Sequence, residues 1–98
     1  MDLDIIPEKY QEDIKNATTF LKNEGCKTVY LFGSMVTGKI HDNSDIDIGI
    51  TGLAPKKFFS VYARLDKILS NKVDLVDFDF QKDFYKLLDT LGEVVKLG

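Results

Sequence analysis

An α/β fold, with a small sheet covered by helices, is predicted by two patterns in the sequence. Helix-like and strand-like segments alternate along the chain, which is typical of helices packed on a sheet. Residues 45–50 alternate polar or small side chains with apolar ones, which is the two-residue period of a strand. The helix-like segments instead repeat apolar residues every three or four positions. We expect a mixed β-sheet flanked by helices, in a single domain over residues 1–98.

The boundaries of these elements follow from turn residues. Pro7 suits the first position of a helix and Gly25 suits the residue just past its end, so a helix is predicted over 7–24. A β-rich strand at 27–32 leads into Gly33, then a short helical turn at 34–37 and a loop at 39–44. The later elements are a strand at 45–50, a helix at 55–69, a strand at 72–78, a helix at 81–91 and a short final strand at 93–96.

Apolar side chains at helical spacing predict the buried faces. These are Tyr10, Ile14, Ala17 and Leu21 in the first helix, Phe58, Val61, Tyr62, Leu65, Ile68 and Leu69 in the second long helix, and Phe84, Leu87, Leu88 and Leu91 in the last. We interpret the aromatic residues, Phe80 included, as core rather than as a platform for stacking bases. Phe59 lies outside the main stripe and is a candidate for contact with a partner.

Composition excludes several function classes. The chain carries 13 Lys plus Arg against 16 Asp plus Glu, a net charge of −3, which disfavours direct nucleic-acid binding through bulk charge. No apolar run approaches the roughly 18 residues that a membrane span needs. The start of the chain lacks the pattern of a secretory signal, so a cytoplasmic location is expected. Cys26 is the single cysteine and excludes an internal disulfide; we expect it to be buried.

Acidic residues within predicted strands are the first sign of chemistry, because strands disfavour aspartate. Asp45 and Asp47 are two apart and project from one face of their strand. Two adjacent carboxylates repel each other unless a cation lies between them, and Mg²⁺ prefers carboxylate and phosphate oxygens. A solvated strand face is the alternative interpretation of the Asp-x-Asp pattern alone.

Gly33 and Ser34 strengthen the case for a phosphate site. They lie where the first strand ends and a helical turn begins, and glycine lets a phosphate approach the backbone. If they share a site with Asp45 and Asp47, the first two strands run antiparallel. The next strand follows a helix long enough for a parallel crossover, which brings Asp74 beside the carboxylate pair. Asp77 is an odd number of positions away and faces the other side.

Together these residues resemble a known signature. Gly33-Ser34, ten residues, then Asp45-Ile46-Asp47 is similar to the motif of the DNA polymerase β-like nucleotidyltransferase superfamily, and in particular of the minimal nucleotidyltransferases. Val73-Asp74-Leu75-Val76 resembles the strand of the third carboxylate in that family. The resemblance covers about residues 28–78 and implies a polymerase β-like nucleotidyltransferase fold.

The resemblance also implies a function. Members transfer a nucleoside monophosphate, here AMP from ATP, with Mg²⁺ (two ions) as cofactor. Asp45, Asp47 and Asp74 would be the catalytic and metal-binding residues, and Gly33 and Ser34 would bind the nucleotide. Many minimal members pair with a HEPN-domain toxin and act as its antitoxin, some by adenylylating a tyrosine. Because no second domain is evident to hold an acceptor, we expect the acceptor surface to come from a partner or from another copy of this chain, which favours a protein acceptor.

Two other functions stay open at this point. The chain could be a binding module that masks its partner without chemistry, or a transferase for a small molecule or an RNA end. Lys39 and His41 in the loop could contact phosphate or base, although solvated loop residues are the simpler interpretation. Lys72 is interpreted as a surface charge at the start of its strand.

Overall fold

A computed structural model describes residues 3–98 as a four-stranded sheet with helices on both faces. The elements in chain order are a 3₁₀ helix Leu3–Ile5, α1 Glu8–Asn23, β1 Thr28–Phe32, α2 Ser34–Thr37, β2 Ile46–Thr51, a 3₁₀ turn Pro55–Lys57, α3 Phe58–Ile68, β3 Val73–Asp77, α4 Lys82–Leu91 and β4 Val94–Lys96. The predicted α/β class and the order of elements are confirmed. Among residues 3–98, none of the helices is long and apolar enough to cross a membrane.

The strand order β3-β2-β1-β4 places the two strands that carry the aspartates next to each other. β1 pairs with β2 in antiparallel register and with β4, also antiparallel, on its other side. β2 pairs with β3 in parallel, with α3 as the crossover. The sheet is therefore mixed, with the antiparallel and parallel pairs that the sequence predicted.

Two hydrophobic clusters hold the helices against the sheet. On one face, α1 and α3 pack over the buried side chains of Leu31, Ile48 and Leu75. On the other face, α4 packs over Phe32 through Phe84 and Leu88. Each fully buried aliphatic or aromatic side chain contributes about 1.5–3 kcal/mol. Cys26 is buried as predicted, and burial, followed by the charge of Asp77, raises the pKa of its thiol to about 11.

Several predicted positions need correction. Ile68, Leu87 and Leu91 are at least half exposed, and Phe80 is 71% exposed, so none of these four belongs to the core. On α4 the buried stripe runs through Phe84, Tyr85 and Leu88, which turns Leu87 and Leu91 toward solvent. The predicted helix at 55–69 begins as a separate 3₁₀ turn at Pro55–Lys57. The Leu3–Ile5 helix was not predicted.

Candidate active site

The structure brings Asp47 and Asp74 together at one end of the sheet. They are register partners on the parallel strands β2 and β3, so their side chains project from the same face. Asp45 comes one residue before β2 and two before Asp47. Asp45 and Asp47 are half-buried, whereas Asp74 is exposed. The three predicted carboxylates thus cluster at the starting ends of β2 and β3.

Gly33 lies against the Asp47 carboxylate from the neighbouring strand. Phe32, the last residue of β1, pairs with Asp47 of β2, which puts the following residue beside the aspartate side chain. A Cβ atom on Gly33 would lie 2.0 Å from Oδ2 of Asp47, far inside van der Waals contact. Gly33 also has φ 73° and ψ −147°, a conformation open in practice to glycine alone. Both the backbone conformation at this position and the closeness of the Asp47 side chain therefore favour glycine.

The turn after β1 presents backbone amides at the same end of the sheet. Gly33 precedes α2, whose first residue is Ser34 and whose later amides, of Val36 and Thr37, bond back to the Gly33 carbonyl. The first amides of a helical turn have no partner within the turn and can bind phosphate oxygens. Gly33 and Ser34 are therefore positioned to contact a phosphate group held near Asp47.

Asp47 is the carboxylate whose ionised form is least favoured. Burial, followed by the charges of Asp74 and Asp45, raises the pKa of its carboxyl to about 6. Lys72 lies beside Asp45, with its Nζ 4.0 Å from Oδ2 of that residue, but its side chain is largely exposed. A weak surface contact of this kind contributes less than about 1 kcal/mol. The cluster carries negative charge that a bound cation would relieve.

The donor chemistry of the cluster fits Mg²⁺. Within residues 3–98, no three His, Cys, Asp or Glu side chains are grouped closely enough to hold a metal ion by themselves. Mg²⁺ is nevertheless commonly bound by one or two carboxylates, with substrate phosphates and waters completing its shell, rather than by a cage of protein ligands. Two repelling carboxylates beside a phosphate-accessible turn meet that requirement.

Comparison with known proteins identifies the family. The family model described as Polymerase beta, Nucleotidyltransferase matches residues 12–95. The chain belongs to this family. Its enzyme class, nucleotidyltransferase, is thereby confirmed, together with the resemblance seen in the sequence. No protein with a curated description matches the chain significantly.

Solved structures of similar fold include chains from toxin–antitoxin complexes. One comes from a crystal structure of a toxin–antitoxin with AMP-PNP, at 25% identity and TM-score 0.66, covering 94% of this chain and 73% of that one. Another comes from a complex of tri-AMPylated Shewanella oneidensis HEPN toxin with MNT antitoxin, at 26% identity and TM-score 0.51, covering 70% and 56%. A minimal nucleotidyltransferase, at 20% identity, TM-score 0.71 and coverage of 97% and 95%, shares the fold.

One neighbour of the carboxylate cluster was not predicted from the sequence. Tyr62 of α3, predicted only as a core residue, is half-buried, and its hydroxyl donates to the carbonyl oxygen of Val73 at 3.1 Å. The same hydroxyl lies 3.4 Å from Oδ1 of Asp74. Burial raises the pKa of Tyr62, a backbone hydrogen bond with Leu75 opposes this, and the Asp74 charge adds to the rise. A tyrosine on an apolar helix face gives no sequence signal for such a contact.

A second residue that was not predicted, Asp13, stabilises the turn that leads into β3. Its carboxylate is 3% exposed and accepts hydrogen bonds from the backbone amides of Ser70 and Asn71 and from the Asn71 side chain, at 3.0, 2.7 and 2.9 Å. This turn leads into Lys72, whose carbonyl accepts from the Ile46 amide. A signal was present in the sequence, since Asp13 falls on the same helical stripe as Tyr10 and Ala17.

The other candidate residues lie outside the carboxylate cluster. Asp77 projects from the opposite face of β3, is buried, and accepts a hydrogen bond from the Asp79 amide. Lys39 and His41 are exposed loop residues, as the simpler interpretation predicted. The backbone carbonyl of His41 accepts from the Tyr10 hydroxyl at 3.2 Å, which ties this loop to α1.

Proposed function

We propose that this nucleotidyltransferase transfers AMP from ATP to a hydroxyl group, in particular a tyrosine, of a HEPN-domain toxin and so acts as its antitoxin. The observation that carries the proposal is the contact of Gly33 with the Asp47 carboxylate, beside Asp74 on the next strand. It places a phosphate-accessible backbone against an acidic cluster. We further propose that the chain works in the cytoplasm as one domain over residues 1–98.

The backbone would bind the phosphates of the nucleotide, and the carboxylates would bind the metal ion that accompanies them. Gly33 and the first amides of α2, with the Ser34 hydroxyl, would hold phosphate oxygens. Asp45, Asp47 and Asp74 would hold Mg²⁺, which supplies charge neutralisation for the phosphates and lowers the pKa of a coordinated hydroxyl. The raised pKa of Asp47 supports this assignment because an added positive charge would stabilise its ionised form.

The transfer step is a displacement at the α-phosphorus. The acceptor oxygen forms a bond to that phosphorus, the bond from phosphorus to the oxygen bridging the α- and β-phosphates breaks, and pyrophosphate leaves. The proton of the acceptor hydroxyl passes to a carboxylate, for which Asp74 is suited because it is the most exposed of the three. The protein mainly positions groups and offsets charge in this kind of reaction.

A protein acceptor is supported by two observations. The similar chains at 25% and 26% identity come from a toxin–antitoxin with AMP-PNP and from a complex with an AMPylated HEPN toxin. The net charge of −3 disfavours an RNA acceptor, whose phosphates would be repelled.

The test uses a purified HEPN-domain partner, ATP and Mg²⁺, with intact-mass measurement of both proteins. We expect the partner to gain the mass of one or more AMP groups, on tyrosine, with loss of its toxicity. The variant Asp45→Asn/Asp47→Asn should give no mass gain, and the exposed Asp66→Asn serves as matched control. AMP found on a small molecule or an RNA end, and not on protein, would replace the proposed acceptor.

Masking of the partner without chemistry is a second candidate, favoured by one surface feature. Phe59 and Phe80 are 82% and 71% exposed and line a single cleft of about 420 Å³ beside β3. Exposed aromatic side chains that converge on a cleft are typical of interaction sites. If Asp45→Asn/Asp47→Asn neutralises the toxin as well as the unaltered protein at equal dose, masking is the function and transfer is not required.

A further inference from the structure

The free edge of the sheet brings a tyrosine hydroxyl to the third carboxylate. β3 is one of the two edge strands, and α3, which crosses over to it, carries Tyr62 on the side of that edge. The Tyr62 hydroxyl lies 3.1 Å from the Val73 carbonyl oxygen and 3.4 Å from Oδ1 of Asp74. Since the hydroxyl carries one proton, it can satisfy either oxygen at a time.

The ring of Tyr62 is held by a second aromatic side chain on α3. Its ring packs edge-on against the ring of Phe58, with centroids 5.9 Å apart and planes at 84°. The hydroxyl lies within reach of both the Val73 carbonyl and the Asp74 carboxylate, so the ring contact keeps it beside Asp74 whichever oxygen accepts its proton.

Asp74 is less enclosed by its surroundings than the other two carboxylates are. It is exposed, whereas Asp45 and Asp47 are half-buried. In the described part of the chain, Tyr62 is the side chain within hydrogen-bond distance of the Asp74 carboxylate, and no second side chain shares that contact. Its orientation relative to Asp47, its register partner, would otherwise be free.

We propose that Tyr62 is a positioning residue that orients the Asp74 carboxylate toward Asp47 for the transfer reaction. This inference rests on the proposed function. When the hydroxyl proton turns from Val73 to Asp74, it holds one carboxylate oxygen and leaves the other directed into the cluster. Tyr62 contacts neither ATP nor the acceptor in this role and acts through Asp74 alone.

The experiment compares Tyr62→Phe, Asp74→Asn and the double variant with the unaltered protein. Tyr62→Phe should lower kcat for pyrophosphate release about tenfold, as expected for one lost hydrogen bond to a charged group, and leave the KM for ATP unchanged. Tyr85→Phe is the matched control, because the Tyr85 hydroxyl interacts with Tyr30. Urea unfolding of each variant establishes that the assays are made on folded protein.

A calorimetric titration with Mn²⁺ supplies a readout apart from turnover. Tyr62→Phe should weaken Mn²⁺ affinity severalfold in the unaltered protein and have no effect in the Asp74→Asn background. An equal effect in both backgrounds, an unchanged kcat, or a change confined to KM would overturn the inference. If the unaltered protein releases no pyrophosphate with any acceptor, the proposed function fails. The comparison of Mn²⁺ affinities in the two backgrounds then decides by itself whether Tyr62 acts through Asp74.

Discussion

Gly33 and Asp47 are in such close contact that a methyl group on the glycine would lie 2.0 Å from the aspartate Oδ2. The contact joins the end of β1 to the start of β2 through the pairing of Phe32 with Asp47. It makes the acidic cluster and the phosphate-accessible turn a single structural unit.

Gly33→Ala should reduce nucleotidyl transfer by at least about a hundredfold, because the new Cβ displaces the Asp47 carboxylate by an ångström or more. The rate of pyrophosphate release measures the loss. Gly92→Ala is the control for a positive φ without a neighbour, since Gly92 has φ 70° and nothing within 4 Å of an added Cβ, although its ψ of 27° differs from that of Gly33. That variant should lose about 1 kcal/mol of stability and no activity. Equal losses of activity in both variants would show that backbone strain, and not the collision, is responsible.

Asp47→Asn should stabilise the metal-free protein at pH 8 by about 1–2 kcal/mol while abolishing transfer. The pKa of Asp47 is raised to about 6 from an ordinary value of 3.8, so the folded state binds the proton more tightly than the unfolded state does. Its contribution to stability is complete below about pH 4 and is lost as the pH rises through 6. Urea unfolding between pH 4 and 8 measures both effects.

The control for that variant is Asp66→Asn on the exposed surface of α3. It should leave the dependence of unfolding free energy on pH as it is in the unaltered protein. A destabilised Asp47→Asn at pH 8 would mean that the carboxylate is satisfied by its surroundings, in conflict with repulsion from Asp74 and Asp45.

Divalent metal ions should stabilise the folded protein. Mg²⁺ at a hundred times its dissociation constant adds about 2.7 kcal/mol if it binds the native state alone. The Tm of the unaltered protein should therefore rise by several degrees, and that of Asp45→Asn/Asp47→Asn should stay constant. Removal of the metal with a chelator should restore the original Tm. An equal rise in both proteins would place the metal elsewhere.

Asp13→Ala should destabilise the protein by about 2–4 kcal/mol, because it leaves the Ser70 and Asn71 amides and the Asn71 side chain without their acceptor. Asp66→Ala, a matched change at an exposed position, should cost less than about 0.5 kcal/mol. Chemical denaturation gives both values. If the two variants were equally stable, water would be replacing the lost carboxylate and the turn would not depend on it.

The sequence was sufficient to predict the core of the site. The two-residue period at 45–50 and the length of the crossover helix were enough to predict that Asp74 would lie beside Asp47, because strand periodicity and crossover geometry are local rules. The contact between Gly33 and Asp47 could be expected in outline only, since its distance depends on the pairing register.

The sequence was not sufficient to predict burial and contacts that depend on packing between elements. Leu87 and Tyr85 lie on either side of Leu88 around α4, and the packing of the helix over Phe78 leaves Tyr85 half-buried and Leu87 exposed. The hydroxyl of Tyr62 reaches Asp74 because β3 is an edge strand of the sheet. No local sequence pattern predicts which strand lies at an edge. Asp13 is a charged residue within an apolar helix stripe, which the sequence does show. Its hydrogen-bond partners are 57 and 58 residues away, so the sequence pattern does not identify them.

Label transfer from ATP tests the central claim most directly. The purified protein, Mg²⁺ and ATP labelled at the α-phosphate are mixed with lysate from the protein's own host and separated on a protein gel. The proposed function predicts a labelled protein band that disappears with Asp45→Asn/Asp47→Asn and persists with Asp66→Asn. A band of equal intensity with all three proteins, or no band from a protein that binds ATP, would contradict it.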